Sequence, residues 1–212
     1  MKRTFRSMLL AVPLAIAALG HPAIASASSV SAAYLPAATA PSVVQAKLLS
    51  TGFNFGNPKS KHTMYVFFDP QCPHCGAFWK EVKLLEKDVH FVWVPVGILN
   101  DMSVKQGAAL LSSTNPVAAM DGHEDRLLAH KGGMDVTSVD PKWVDVVNKN
   151  TRLLESFGAQ GVPYILATDA SGKVYHNEGG MAAKLLAKTL GWNDIVVNEP
   201  GYGAAAKPAA AK

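Results

Sequence analysis

What most constrains this chain is where its cysteines fall. Only two occur in 212 residues. Both lie in Cys72-Pro73-His74-Cys75, between an apolar run from Met64 to Phe68 and an amphipathic run from Ala77 to Leu85. A strand-to-helix junction at that point places Cys72 at the helix N-cap and Pro73 at the first helical position, where a missing N–H costs nothing. The unpaired amides and the positive dipole end of a helix start favour a negative group, so Cys72 is expected to ionise more readily than a free thiol. Cys75, one turn further on, can close a small disulfide with it, and the pair can exchange two electrons as a unit.

Other chemistries for the pair are weaker. A zinc site needs about four ligands, commonly two such cysteine pairs or one pair plus spaced histidines, and no second pair exists. Covalent haem attachment needs His directly after the second cysteine, where this chain has Gly76. A bridge spanning two residues removes almost no chain entropy, which argues against a structural staple. Thiol-disulfide exchange remains, and it needs neither metal nor cofactor. It asks for an exposed attacking thiolate, which Cys72 fits, and a resolving thiol, which Cys75 fits. His74 is expected to stabilise the thiolate through its ring. Each unit by which that thiolate's pKa lies below ambient pH favours the reduced form by about 1.4 kcal/mol, or about 30 mV for a two-electron couple.

The chain opens with Lys2, Arg3 and Arg6, an apolar stretch from Met8 to Leu19, and Ala25-Ser26-Ala27. This is the pattern of a secretion signal over residues 1–27, cleaved near Ala27, and its apolar stretch is shorter than the roughly 20 residues of a membrane span. Without Lys2, Arg3 and Arg6, the 20 basic residues become 17 against 16 acidic. Such a near-neutral chain lacks the basic excess of a nucleic-acid binder.

Residues 28–60 read as a lead or linker with one short helix from Ser42, which caps it, to Leu49, followed by a loop marked by Gly52, Gly56, Asn57 and Pro58. Met64 to Phe68 is the first strand, continuously apolar as in a strand buried on both faces. His90 to Val94 is a second, and one helix between two strands makes a parallel unit. Residues 100–158 read as a helical insertion with segments Lys105 to Leu111, Pro116 to His130 and Pro141 to Phe157, the last capped by Gly158. Val162 to Thr168, a turn, and Lys173 to His176 form a hairpin, and Met181 to Leu190 a final helix. Residues 193–212 are expected to be a disordered tail. Pro163, at the start of a buried strand, points to a bend or a cis bond, although a trans proline is the commoner case.

Taken in order, the strand, the Cys-Pro-His-Cys helix, the second strand, the insertion, Gly161-Val162-Pro163-Tyr164, the hairpin and the last helix resemble the thioredoxin superfamily. The resemblance is greatest to the catalytic domain of exported disulfide isomerases of the DsbC and DsbG type. It rests most specifically on Tyr65 to Cys75 with Phe78-Trp79, supported by Ala108 to Leu111, Asn115-Pro116 and Leu153 to Pro163. It implies an α/β thioredoxin fold, a central mixed sheet flanked by helices, over residues 61–192. It also implies that Cys72 is the nucleophile and Cys75 the resolving thiol. Pro163 would be a cis proline facing them, and Val162 would offer its backbone to an extended client peptide.

His74 and Val162 depart from the isomerases and match the DsbA oxidases instead. The isomerases dimerise through a separate N-terminal domain, for which the lead is too short, so a monomer or a different dimer is expected. The implied protein is a periplasmic oxidoreductase that exchanges disulfides with client proteins and is recharged by a membrane redox partner, leaning to oxidation. Isomerase or reductase action is the alternative, and a chaperone-like peptide binder the non-catalytic one. The acid that thioredoxins bury in the strand before the motif is replaced by Val66. Asp69 is read as bonding the loop backbone, and His62, His90, His123, His130 and His176 as surface or loop residues.

Overall fold

The computed structural model describes residues 39–197. The signal segment, most of the lead and the tail beyond residue 197 lie outside the described residues. The elements run α1 (Val43–Leu49), β1 (Phe53–Gly56), β2 (Thr63–Phe68), α2 (Pro73–Val82), β3 (His90–Pro95), α3 (Asp101–Ser112), α4 (Pro116–Leu128), α5 (Pro141–Ser156), β4 (Tyr164–Thr168), β5 (Val174–Glu178) and α6 (Ala183–Thr189). A 3-10 turn, Lys83–Leu85, extends α2.

The five strands form one sheet in the order β1-β3-β2-β4-β5. β2 pairs parallel with β3, as expected of two strands joined through α2, and antiparallel with β4, while the β4–β5 hairpin closes one edge. Side chains alternate across a strand, and β2 divides its residues between two cores accordingly. Met64, Val66 and Phe68 pack with Phe78, Trp79 and Val82 of α2, Met120 of α4 and Leu186 of α6. Tyr65 and Phe67 face the other way, against Leu153, Leu154, Phe157 and Ala46. A strand clad on both sides must be apolar at every position, which is why the run at Met64 to Phe68 shows no alternation.

Helix starts follow sequence chemistry. Ser42, Asn115 and Asp140 each accept a backbone N–H of the first turn, and Pro116 and Pro141 sit just inside the last two helices. Gly158, at φ 73, follows α5 and donates to the Glu155 carbonyl, as a left-handed cap does.

Beyond shifts of one or two residues at element ends, three features differ from the sequence expectation. The stretch read as a loop holds β1, an edge strand antiparallel to β3 with Phe53 and Phe55 buried. Four residues ending in glycine carry too little periodicity to be read as a strand. Gly52 reveals the pairing instead: a Cβ there would come 2.5 Å from the Trp93 carbonyl oxygen. The helix read from Lys105 begins at Asp101, because Asn100 accepts the Met102 N–H and Ser103 bonds back to the Asn100 N–H in a capping box. Finally, Ile195 and Val197 pack on the core beside buried Trp192, so ordered chain runs past residue 192.

Candidate active site

Cys72 is the N-cap of α2. Its N–H donates to the Asp69 carbonyl (3.0 Å), its carbonyl accepts from Cys75 and Gly76, and its sulfur accepts the Cys75 N–H at 3.4 Å. The structure holds both cysteines as free thiols. Donors converging on one sulfur favour its anion, and the Cys72 thiol is lowered to about 7. The largest cause is the hydrogen bond from the Cys75 thiol; burial opposes it, the backbone N–H groups of Cys75 and His74 add to it, and the Asp69 charge opposes it weakly. Burial first, then the Cys72 sulfur, holds Cys75 well above an ordinary thiol.

One expectation needs correction. Cys72 is only 5% exposed, not an open thiolate, because its sulfur lies 3.7 Å from the Val162 carbonyl oxygen and donates to it in the thiol form. His74 is exposed, and its backbone N–H adds to the lowering of the Cys72 thiol. Pro73 occupies the first helical position as expected. The Val162-Pro163 peptide is cis. The structure thus brings Cys72, Cys75, Val162 and Pro163 to one place, from the start of α2 and the entry to β4.

Asp69 is fully buried and ties two loops together. One oxygen accepts the Gln71 N–H (2.8 Å) and the other the N–H groups of Ile98 (2.7 Å) and Leu99 (2.9 Å). The loop-bonding role expected of it is the one it has.

Three residues of the insertion that sequence reasoning passed over complete the setting. His123, read as a surface or loop histidine, is 1% exposed. Its Nδ1 accepts the Met134 N–H (3.0 Å), which leaves Nε2 to donate to the Pro70 carbonyl at 2.6 Å. Burial lowers its pKa further, so it serves as a neutral strut between α4 and the cysteine loop. Gln106 of α3 bonds Gln71 and the carbonyls of Gly132 and Met134. Glu124 of α4 is fully buried, and neither carboxyl oxygen has a hydrogen-bond partner among the described residues. The only hint for Glu124 in the sequence was its spacing: Met120, Glu124 and Leu127 recur at helical intervals, and the structure shows all three on the buried stripe of α4.

The sequence matches the thioredoxin-like domain family over residues 57–191. The chain belongs to the thioredoxin-like family. Among curated relatives, this thioredoxin-like chain is 30% identical over 142 residues to the thiol:disulfide interchange protein DsbG of Pseudomonas aeruginosa, covering 64% of this chain and 54% of that one. It is 28% identical over 107 residues to DsbG of Escherichia coli, covering 48% and 42%. It therefore spans about half the length of the curated relatives it matches. Among solved structures, the catalytic domain of Proteus mirabilis ScsC superposes with a TM-score of 0.55 at 19% identity, over 66% of this chain and 88% of that one. The thiol-disulfide exchange protein alpha-DsbA2 of Wolbachia pipientis gives 0.53 at 19%, over 71% and 92%. These two likenesses are of fold. Within the thioredoxin-like family, the mixed sheet and flanking helices described above are the shared frame, and α3, α4 and α5 are carried between β3 and β4.

Proposed function

We propose that this chain is an exported thiol:disulfide oxidoreductase that works on client proteins in the periplasm, with Cys72 as the exchanging sulfur and Cys75 as its resolving partner. One observation carries the reading: a thiol lowered to about 7 lies at a helix start, 3.7 Å from the carbonyl before a cis proline, with a buried second thiol one turn on. A client segment would lie extended along Val162 and present its sulfur to Cys72.

The lowered thiol favours the reduced pair and so makes the disulfide an oxidant, which supports net oxidation of clients with a membrane partner restoring the disulfide. The relatives named DsbG support a second reading, isomerase or reductase action through the same residues.

The redox potential of the pair against glutathione, measured with the Cys72 thiolate titration, separates the two. Oxidation requires a potential above the about −270 mV of thioredoxin, and a strongly reducing value rules it out. Replacement of Cys72 by Ala is expected to abolish exchange entirely, whereas retained activity on clients would mean a binder that holds peptides beside Pro163 without redox chemistry.

A further inference from the structure

Gly76 directly follows Cys75 inside α2, where glycine costs about 1 kcal/mol relative to alanine. The reason is across the helix interface: a Cβ on Gly76 would overlap Oε2 of Glu124. The missing side chain makes room for a carboxyl group against the backbone beside the buried thiol. That carboxyl is fully buried and without a partner among the described residues, and an unsatisfied buried polar group in a native fold calls for an explanation.

We propose that Glu124 is the acid that protonates Cys75 as its sulfur leaves the Cys72–Cys75 disulfide, an assignment that rests on the exchange reading above. In the step, a client thiolate attacks Cys72 Sγ. The client-sulfur–Cys72 bond forms as the Cys72–Cys75 bond breaks, the electron pair goes to Cys75 Sγ, and the Glu124 proton passes to that sulfur by way of one water, since no direct hydrogen bond joins the two groups. A second client thiolate then attacks the client sulfur of the mixed disulfide and releases Cys72 as the thiolate. The client loses two electrons, the cysteine pair gains them, and Glu124 recovers its proton from water.

The site needs such a donor. Cys75 is fully buried and held well above an ordinary thiol, so an unprotonated leaving sulfur there is costly. Glu124 has the proton to give, because its carboxyl is raised to about 9, first by burial and then by the Cys72 thiolate. The charged and titratable groups that bear on it are Cys72, Cys75 and Lys80 from α2 and Asp125 from its own helix, and Lys80 is already paired with Asp125 at 2.6 Å. The neutral acid is therefore not drawn into an ion pair.

The test is the rate at which dithiothreitol reduces the oxidised full chain, expressed per attacking thiolate and followed across pH. The wild type should hold a plateau near neutrality and fall as Glu124 ionises, at or below about 9, since the disulfide form lacks the Cys72 charge that helps to raise it. Glu124→Gln should be at least about tenfold slower at neutral pH and show no break, and Glu124→Asp should recover part of the rate together with a break. A Glu124→Gln protein with the wild-type rate, or with the wild-type break, overturns the assignment. The side-chain carboxyl carbon of Glu124, titrated by NMR in the oxidised wild type, tests it without any variant: a carboxylate already ionised at neutral pH has no proton to give and overturns it. A wild type that exchanges with no thiol at all sinks the exchange reading and this assignment with it, whereas a wild type that exchanges normally while Glu124→Gln matches it sinks only the role of Glu124.

Discussion

Glu124 shows how one residue can set function against stability. In the unfolded chain its carboxyl ionises near the ordinary value of 4.5, whereas in the fold it stays protonated up to about 9. A raised carboxyl contributes stability below its unfolded value and loses it as pH rises through the folded one. By pH 7 the loss amounts to about 3 kcal/mol, at 1.4 kcal/mol per unit. Glutamine keeps the shape and does not titrate. Glu124→Gln is therefore expected to be the more stable protein near neutrality, with an advantage over wild type that grows from pH 4.5 upward. Urea unfolding of the two reduced proteins across pH measures it, and an advantage that does not change with pH would mean that Glu124 ionises normally. A slower yet more stable variant is the signature of a group kept for chemistry. It is also the residue that sequence reasoning left out, because a glutamate between apolar positions reads as solvated until the packing of α4 on α2 is known. Cys72 and Cys75 were legible from their spacing at a strand-to-helix junction, and Pro163 only through the family resemblance. Glu124 and His123 stand out only through contacts with the cysteine loop and helix.

At the scale of elements, legibility followed the strength of local signals. α4 and α5 could be placed from an asparagine or aspartate followed by proline, and β2 and β4 from apolar runs too short for a helix. β1 could not, since its place is decided by Gly52 fitting under the Trp93 carbonyl, a long-range fact. What secures this edge is Asn150, on the buried side of α5. Its side-chain oxygen accepts the Thr51 N–H (3.0 Å), and its amide nitrogen donates to the carbonyls of Thr51 (2.8 Å) and Pro95 (3.0 Å). One amide thus joins α5, the approach to β1 and the end of β3. Replacement by alanine would leave three backbone groups unpaired, two of them carbonyls with a second lone pair. It should cost about 2–4 kcal/mol, read as a lower urea midpoint. Hydrogen exchange should quicken first along β1, because an edge strand of four residues has little else to hold it.

For the molecule as a whole, the cysteine pair links redox state to global stability, because the sheet, α2 and the insertion all contribute to the setting of one sulfur. In the reduced protein Cys72 ionises at about 7, against an ordinary value of 9.0. A lowered thiol adds stability that is complete above the unfolded value and is lost as pH falls through the folded one. Two units correspond to about 3 kcal/mol. Cys75 works in the opposite sense above pH 9, where the unfolded thiol ionises and the buried one does not. The oxidised protein has neither titration, and every group that titrates alike in the two redox states cancels in their difference. The stability of the reduced form minus that of the oxidised form should therefore climb from about pH 7, reach a maximum near pH 9, and decline beyond it. Glu124 would blur this, since its ionisation is coupled to the Cys72 charge, so the cleaner comparison uses oxidised and reduced Glu124→Gln protein in urea at a series of pH values. By the thermodynamic cycle, each 1.4 kcal/mol by which the reduced fold exceeds the oxidised one makes the folded disulfide about 30 mV more oxidising than the same disulfide in an unfolded chain. A difference that stays flat between pH 7 and 9 would show that the fold does nothing to the Cys72 thiolate, and an oxidising role would then lose its physical driving force.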